Sequence, residues 1–236
     1  MKYLFSKIAV AALMLLCAAS ASAQDKWTGI ARYAASNARL IATPAPAAGR
    51  IVLLGNSITD FWPSKCPEFF AQHPQLVPRG ISGQTSYQML VRFREDVVNL
   101  HPVAVVINCG TNDIAENGGI PYVEDNTFGN ILSMVEIAKA NGIKVYLSSV
   151  LPCATMYWAP KRTGVADKIA ALNARIQRYA QQNGITYIDY FTPMVHGTDR
   201  ALNPAYTTDG VHPTEEGYRQ VMQPVLIKAI EKEIRD

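Results

Sequence analysis

The chain alternates between two hydrophobic periods, and few folds accept that pattern. Five short apolar runs, at residues 51–54, 76–77 leading into Gly80 and Ile81, 103–107, 144–150 and 186–190, read as strands. Longer stretches with apolar residues at helical spacing lie between and after them, at 87–100, 126–140, 165–182 and 215–234. Gly142 and Gly184 stand where helix C-caps belong, each just ahead of a strand. Strands that alternate with helices make βαβ units, and these require a parallel sheet covered on both faces. An α/β fold on a mostly parallel five-stranded sheet is therefore expected. With 236 residues, 49% of them hydrophobic, the chain can bury one sizeable core, and a single domain over residues 49–236 accounts for it.

The first residues have a different character. Lys2 and Lys7 accompany an apolar run at 8–19, which leads into Ala21, Ser22 and Ala23. This reads as a signal peptide over residues 1–23, cut after Ala23, and so predicts export to a periplasmic or extracellular space. The run is shorter than the ~20 apolar residues that a bilayer core demands, so stable membrane insertion is not expected. Cys17 follows Leu16, where a bacterial lipid-anchor pattern wants a small residue. Residues 27–40 have helical spacing and the Pro/Ala-rich 43–49 interrupts it, so 24–48 read as an N-terminal helix and linker.

Losing two lysines and no acids with the leader lowers the formal charge from +3 to +1. So small an excess, with no dense Lys/Arg run, argues against a nucleic-acid partner. Cys66, Cys109 and Cys153 remain, odd in number and widely spaced, which fits neither a disulfide framework nor a C-x-x-C zinc site. A Cys66 to Cys153 bridge is compatible with an oxidising compartment, and Cys109 reads as a small core residue.

In parallel sheets, ligands sit beyond the carboxyl ends of the strands, where strand order reverses. Ser57 follows the first strand, Ser82 and Gly83 the second, and Gly110, Thr111, Asn112 and Asp113 the third. All share one edge, which the 209–213 loop ahead of the last helix can also reach. A serine hydroxyl is a useful nucleophile only beside a positioned base. His73 and His101 precede prolines at strand starts, on the opposite edge, and His196 lies in a loop. His212 has Asp209 three residues before it and Gly210 between to allow a bend, so the carboxylate can hold the imidazole Nδ1. An isolated Asp-Gly is more often a turn or a helix cap. Acyl transfer also needs donors for an oxyanion, and the Ser57 N–H, the Gly83 N–H and the Asn112 amide are the candidates.

These residues fall in four blocks: G-N-S-I-T-D from Gly55, R-G-I-S-G-Q-T from Arg79, G-T-N-D from Gly110 and D-G-V-H-P from Asp209. In order and spacing the chain resembles the SGNH/GDSL-type hydrolase superfamily, and most of all its branch of platelet-activating-factor acetylhydrolase-like proteins and bacterial sugar acetylesterases. The resemblance implies a flavodoxin-like, three-layer α/β/α sandwich. It implies Ser57 as nucleophile, His212 as base, Asp209 as orienting acid, and Ser57, Gly83 and Asn112 as the oxyanion hole, with no metal or other cofactor. Where the family usually has an acid before the serine, this chain has Asn56, which touches local hydrogen bonding rather than the triad.

Small acyl groups, acetyl above all, are what the resemblance implies for the substrate. Trp62, Tyr157 and Trp158 lie in segments after the first and fourth strands and could form an aromatic wall for a sugar face, or pack loops onto the core. Arg79 or Arg162 could meet a substrate carboxylate, although each has an ordinary reading as a solvated charge. The expected protein is a secreted serine esterase acting on a small acylated substrate such as an acetylated sugar. A lysophospholipase or thioesterase for longer chains, and a non-catalytic glycan-binding protein of the same fold, remain alternatives. The chain has no G-x-S-x-G elbow, no phosphate-binding G-x-x-x-x-G-K-[ST] loop and no H-E-x-x-H pair.

Overall fold

A computed structural model describes residues 27–234, so the expected leader lies outside the described residues. Five parallel strands, β1 (Ile51–Gly55), β2 (Leu76–Gly80), β3 (Ala104–Ile107), β4 (Lys144–Ser148) and β5 (Thr186–Ile188), form one sheet in the order β2-β1-β3-β4-β5. The main helices are α1 (Ala34–Ala42), α2 (Ser57–Lys65), α3 (Pro67–Gln72), α4 (Ser86–Asp96), α5 (Glu124–Ala140), α6 (Val165–Gln182) and α7 (Gln223–Ile234).

Alternate strand residues feed two separate cores, as the period of two dictates. Val52, Leu54, Val105, Ile107, Val145 and Leu147 pack under α4, α5 and α6. Ile51, Leu53, Val106, Tyr146 and Ile188 pack on the other face under α2, α3 and α7. Every residue of β1 and β3 is buried, which is why these runs show no polar alternation in the sequence. The result is a three-layer α/β/α sandwich.

The chain runs from β1 to one side at β2 and then returns to β3 on the other side, so the loops after β1 and β3 diverge at the carboxyl edge. That divergence opens the crevice in which such sheets bind ligands. Close packing there depends on Gly80. A Cβ on it would fall 2.2 Å from the Asp60 backbone nitrogen and 2.6 Å from Asn56 O, so only glycine lets β2 lie against the turn that carries Ser57.

Three regions carry detail beyond the sequence expectation. Residues 27–48 are tied to the sandwich beside edge strand β2: Tyr33 Oη donates to Gly80 O at 2.5 Å, and Asn37 Nδ2 donates to Asp96 Oδ1 at 2.7 Å. Arg50 then holds the 43–49 segment by donating to Leu40 O, to Thr43 O and to Leu100 O. The 215–234 stretch is one turn at Glu215–Gly217, a π-helical segment at Tyr218–Met222, then α7. The widened turn seats Tyr218 in the core, where its hydroxyl donates to Ile58 O at 2.7 Å. A short antiparallel pair, Val195–His196 with Ala201–Leu202, precedes the 209–213 loop.

Cys66, Cys109 and Cys153 are all free and buried. Cys66 belongs to the core of one sheet face and Cys153 to that of the other, so the bridge considered from sequence does not form. Burial pushes the Cys153 thiol up to about 12 and the Cys109 thiol well above its ordinary value, which makes both inert core residues.

Candidate active site

Ser57 opens α2, directly after β1. Asn56 caps that helix, its Oδ1 accepting from Ile58 N at 3.1 Å, so the position that departs from the usual acid still supplies a capping oxygen. Ser57 therefore stands at the first helical position, where backbone N–H groups lack intrahelical partners and the helix dipole favours negative charge.

His212 arrives from the 207–213 loop, which an isolated bridge between Thr207 and Pro213 closes. Thr207 Oγ1 donates to His212 O at 2.8 Å and accepts from Gly210 N at 3.1 Å. Within that loop Asp209 does both jobs open to an Asp-Gly. Its Oδ1 accepts from the backbone N–H of Val211 at 2.9 Å and of His212 at 2.8 Å, while Oδ2 pairs with His212 Nδ1 at 2.7 Å. Burial alone would raise the Asp209 carboxyl, but the hydrogen bonds from His212 and Val211 outweigh it and hold the group below its ordinary value. The remaining ring nitrogen, Nε2, lies 2.9 Å from Ser57 Oγ. A carboxylate, an imidazole and a hydroxyl thus stand in series, an arrangement able to take the hydroxyl proton as the oxygen attacks a carbonyl.

Ser57, Gly83, Asn112 and His212 line one cavity of about 230 Å³, together with Phe61, Ser82, Asn117, Tyr157 and Trp158. Gly83 has a φ of 80°, which an L side chain rarely adopts. Asn112 follows β3 and is buried, with Nδ2 donating to Gln84 O at 2.9 Å and Oδ1 accepting from Asn117 Nδ2 at 3.0 Å. Asp113 beside it has a different task. Its buried carboxylate accepts from Ser86 N, from Ser86 Oγ and from Thr127 Oγ1, which ties the loop after β3 to α4 and α5.

Three aromatic rings surround the imidazole: Phe61 at 5.3 Å between centroids, Trp158 at 6.1 Å and Tyr157 at 6.4 Å. Tyr157 and Trp158 thus sit where the sequence put them. Trp62 does not. It is 3% exposed on the far side of α2, stacked on Phe69 and Tyr218 in the core under the sheet. Phe61 takes the expected place. Helical spacing could have shown this, because position i+4 from Ser57 shares its face and position i+5 turns away.

Arg79 is neither solvated nor in the cavity. Its buried guanidinium donates to Asn37 Oδ1 at 2.9 Å and lies 4.6 Å from the centre of the Tyr33 ring. Arg162 pairs with Glu116 at 2.8 Å and lines a second cavity of about 480 Å³, with Glu116 and Lys161, that adjoins the first across Asn117 and Trp158.

A three-layer α/β/α sheet with this series of groups at its switch point defines the chain, in class, as a hydrolase of acyl compounds. More narrowly, residues 53–220 match the GDSL-like Lipase/Acylhydrolase family, and the chain belongs to that family. It is similar to the crystal structure of a putative acylhydrolase from Bacteroides fragilis, with 55% identity, 89% of this chain and 99% of that chain covered, and a TM-score of 0.84. A GDSL-like lipase from Bacteroides thetaiotaomicron is also similar, at 52% identity over 88% of this chain and 100% of that chain, with a TM-score of 0.83. An acetylxylan esterase from Geobacillus stearothermophilus shares the fold, at 18% identity, 80% and 94% coverage and a TM-score of 0.61. Among curated proteins none matches.

Proposed function

We propose that this protein is an exported serine esterase that removes a short acyl group, acetyl above all, from a carbohydrate or a similar small substrate. The observation that carries this reading is the cavity. At about 230 Å³ around Ser57 and His212, it is smaller than the ~300–1,000 Å³ of a site for a drug-sized ligand, and its apolar lining is three rings rather than an aliphatic groove. Tyr157 and Phe61, 62% and 37% exposed, offer flat faces at its mouth, which suit a sugar ring. The adjoining cavity, with Glu116, Lys161 and Arg162, suits a hydroxyl-rich leaving group better than an acyl chain.

In this reading Ser57 Oγ attacks the ester carbonyl carbon while its proton passes to His212 Nε2. The carbonyl oxygen becomes an oxyanion held by the N–H groups of Ser57 and Gly83 and by Asn112 Nδ2. The intermediate collapses, the bond to the sugar oxygen breaks, and the imidazolium returns its proton to that oxygen, which leaves as an alcohol. Water then attacks the acyl-Ser57 ester by the same route, and acetate departs. Asp209 stays ionised and stabilises the imidazolium in both halves. The residue assignments rest on the 2.9 Å and 2.7 Å hydrogen bonds in series, and the exported location rests on the leader read at residues 1–23.

Protein lacking residues 1–23 should hydrolyse p-nitrophenyl acetate far faster than the octanoate ester, and Ser57→Ala should abolish both. Equal or reversed chain-length preference would reject the short-acyl reading.

A further inference from the structure

Asn117 belongs to none of the four sequence blocks, yet it touches two of the residues that form the oxyanion hole. Its Nδ2 donates to Gly83 O at 3.1 Å and to Asn112 Oδ1 at 3.0 Å, and its Oδ1 accepts from Trp158 Nε1 at 3.0 Å. The polarity of this chain is fixed from both ends. An indole N–H can only donate, so the amide oxygen of Asn117 faces Trp158 and its nitrogen faces Gly83 and Asn112. The Asn112 oxygen is then directed at Asn117 and its nitrogen at Gln84 O, 2.9 Å away, a carbonyl that can only accept. Reversing either amide would set oxygen against oxygen at one contact or more. One Asn112 Nδ2 hydrogen is engaged by Gln84 O, and the second remains for the cavity that Asn112 lines.

The backbone around Asn117 is itself unusual. Glu116 has a φ of 57°, in the left-handed region that a non-glycine residue rarely occupies, and Gly118 and Gly119 follow at 72° and 76°. The Arg162 to Glu116 ion pair at 2.8 Å braces this turn from the other side of the loop. Strained backbone of this kind persists where its surroundings over-determine it, as at sites that must hold one geometry.

We infer that Asn117 is a positioning residue for the oxyanion hole: oriented by the Trp158 indole, it fixes the Asn112 amide with nitrogen toward the substrate and anchors the Gly83 peptide. The inference rests on the reading of Ser57 as the nucleophile of an esterase. It gives Trp158 a second task beyond its ring face, since its N–H sets the direction of the whole relay.

The test is a series of Asn117→Ala, Asn117→Asp and Trp158→Phe with p-nitrophenyl acetate, beside Ser57→Ala. Asn117→Ala should lower kcat about 10- to 100-fold with KM little changed, as expected when a donor to the transition state is misplaced. Asn117→Asp has nearly the same shape but places a second acceptor against Gly83 O and Asn112 Oδ1, so it should fall at least as far. Trp158→Phe keeps a ring and loses the donor, and should fall less. The Ki of a boronic acid, whose tetrahedral adduct mimics the oxyanion, should rise by the same factor as kcat falls.

A residue that merely packs the loop would lower the melting temperature without moving that Ki. Wild-type kcat in the Asp variant, or a lost kcat with an unchanged Ki, would overturn the inference. Turnover retained by Ser57→Ala would instead reject Ser57 as the nucleophile, the reading on which the inference rests. Exchange of the Trp158 indole hydrogen gives an arm that needs no turnover: it should be protected in the wild type and fast in Asn117→Ala, and equal protection in both would overturn the relay.

Discussion

Arg92 lies on α4 with its guanidinium wholly buried, beneath the two loops that carry Ser57 and Gly83. Its Nε donates to Gln84 Oε1 at 2.6 Å, Nη1 to Arg79 O at 3.0 Å and to Asp96 Oδ2 at 2.8 Å, and Nη2 to Gly55 O at 2.9 Å. Among the described residues, Asp96, equally buried, keeps only the Asn37 amide as another side-chain donor. Arg92→Met fits the space with a flexible apolar chain but strands that carboxylate. Breaking a buried pair from one side costs about 3–5 kcal/mol. At roughly 2–4 °C per kcal/mol for a domain of this size, the melting temperature should fall by about 6–20 °C.

Because Gly55 lies two residues before Ser57, and Gln84 follows Gly83, kcat should also fall at temperatures where the variant is still folded. Asp96→Asn added to Arg92→Met removes the stranded charge and should recover about 1 kcal/mol or more. Thermal and urea unfolding followed by circular dichroism measure both. An Arg92→Met protein within 1 kcal/mol of wild type, or a double variant no better than the single, would refute this account of the buried pair.

The placement of the two aromatic neighbours on α2 separates in the same way. Trp62→Ala should cost about 3–5 kcal/mol of stability, whereas Phe61→Ala should leave the melting temperature within a few degrees and lower kcat/KM for aryl and sugar esters. Comparable losses of stability in both would contradict it. Asp209→Asn should lower kcat by about 10²–10⁴ while leaving measurable turnover, because the imidazole loses the partner that fixes its tautomer. The Asp209 carboxyl is held below its ordinary value in the folded protein. Its stabilisation is therefore present above the unfolded carboxyl range, near pH 4, and is lost as pH falls through the lower folded value. The Asn variant should accordingly lose less stability than wild type on acidification, and an acid-unfolding curve parallel to wild type would contradict that.

The architecture was legible because β1 and β3, buried on both faces, read as short continuous apolar runs, whereas the helices bury one face and read at helical spacing. Ser57, Gly83 and Asn112 were legible as neighbours because they follow β1, β2 and β3 and so gather on one edge, whereas Asp209 and His212 were read from their own spacing in a loop able to reach that edge. Trp62 and Phe61 show where that reading stops. They differ by a single position, which on a helix is a rotation of about 100°, and the helix start at Ser57 decides which ring meets the cavity. Arg92 and Arg79 have the composition of surface residues, and only the meeting of α1, α4 and β2 buries them. Asn117 was invisible for another reason: beside its bond to nearby Asn112, its importance lies in hydrogen bonds to Gly83 and Trp158, both distant in sequence, made possible by a left-handed turn at Glu116. The same holds for the π-helical turn at Tyr218, which registers against Ile58 and Trp62 far upstream.

Mapping the adduct of a serine-directed fluorophosphonate by peptide mass spectrometry addresses the reading of Ser57 as nucleophile most directly. The account predicts a single adduct on Ser57, its rate strongly reduced in His212→Ala. Labelling of another residue, or an unmodified Ser57 in an inhibited enzyme, would contradict it.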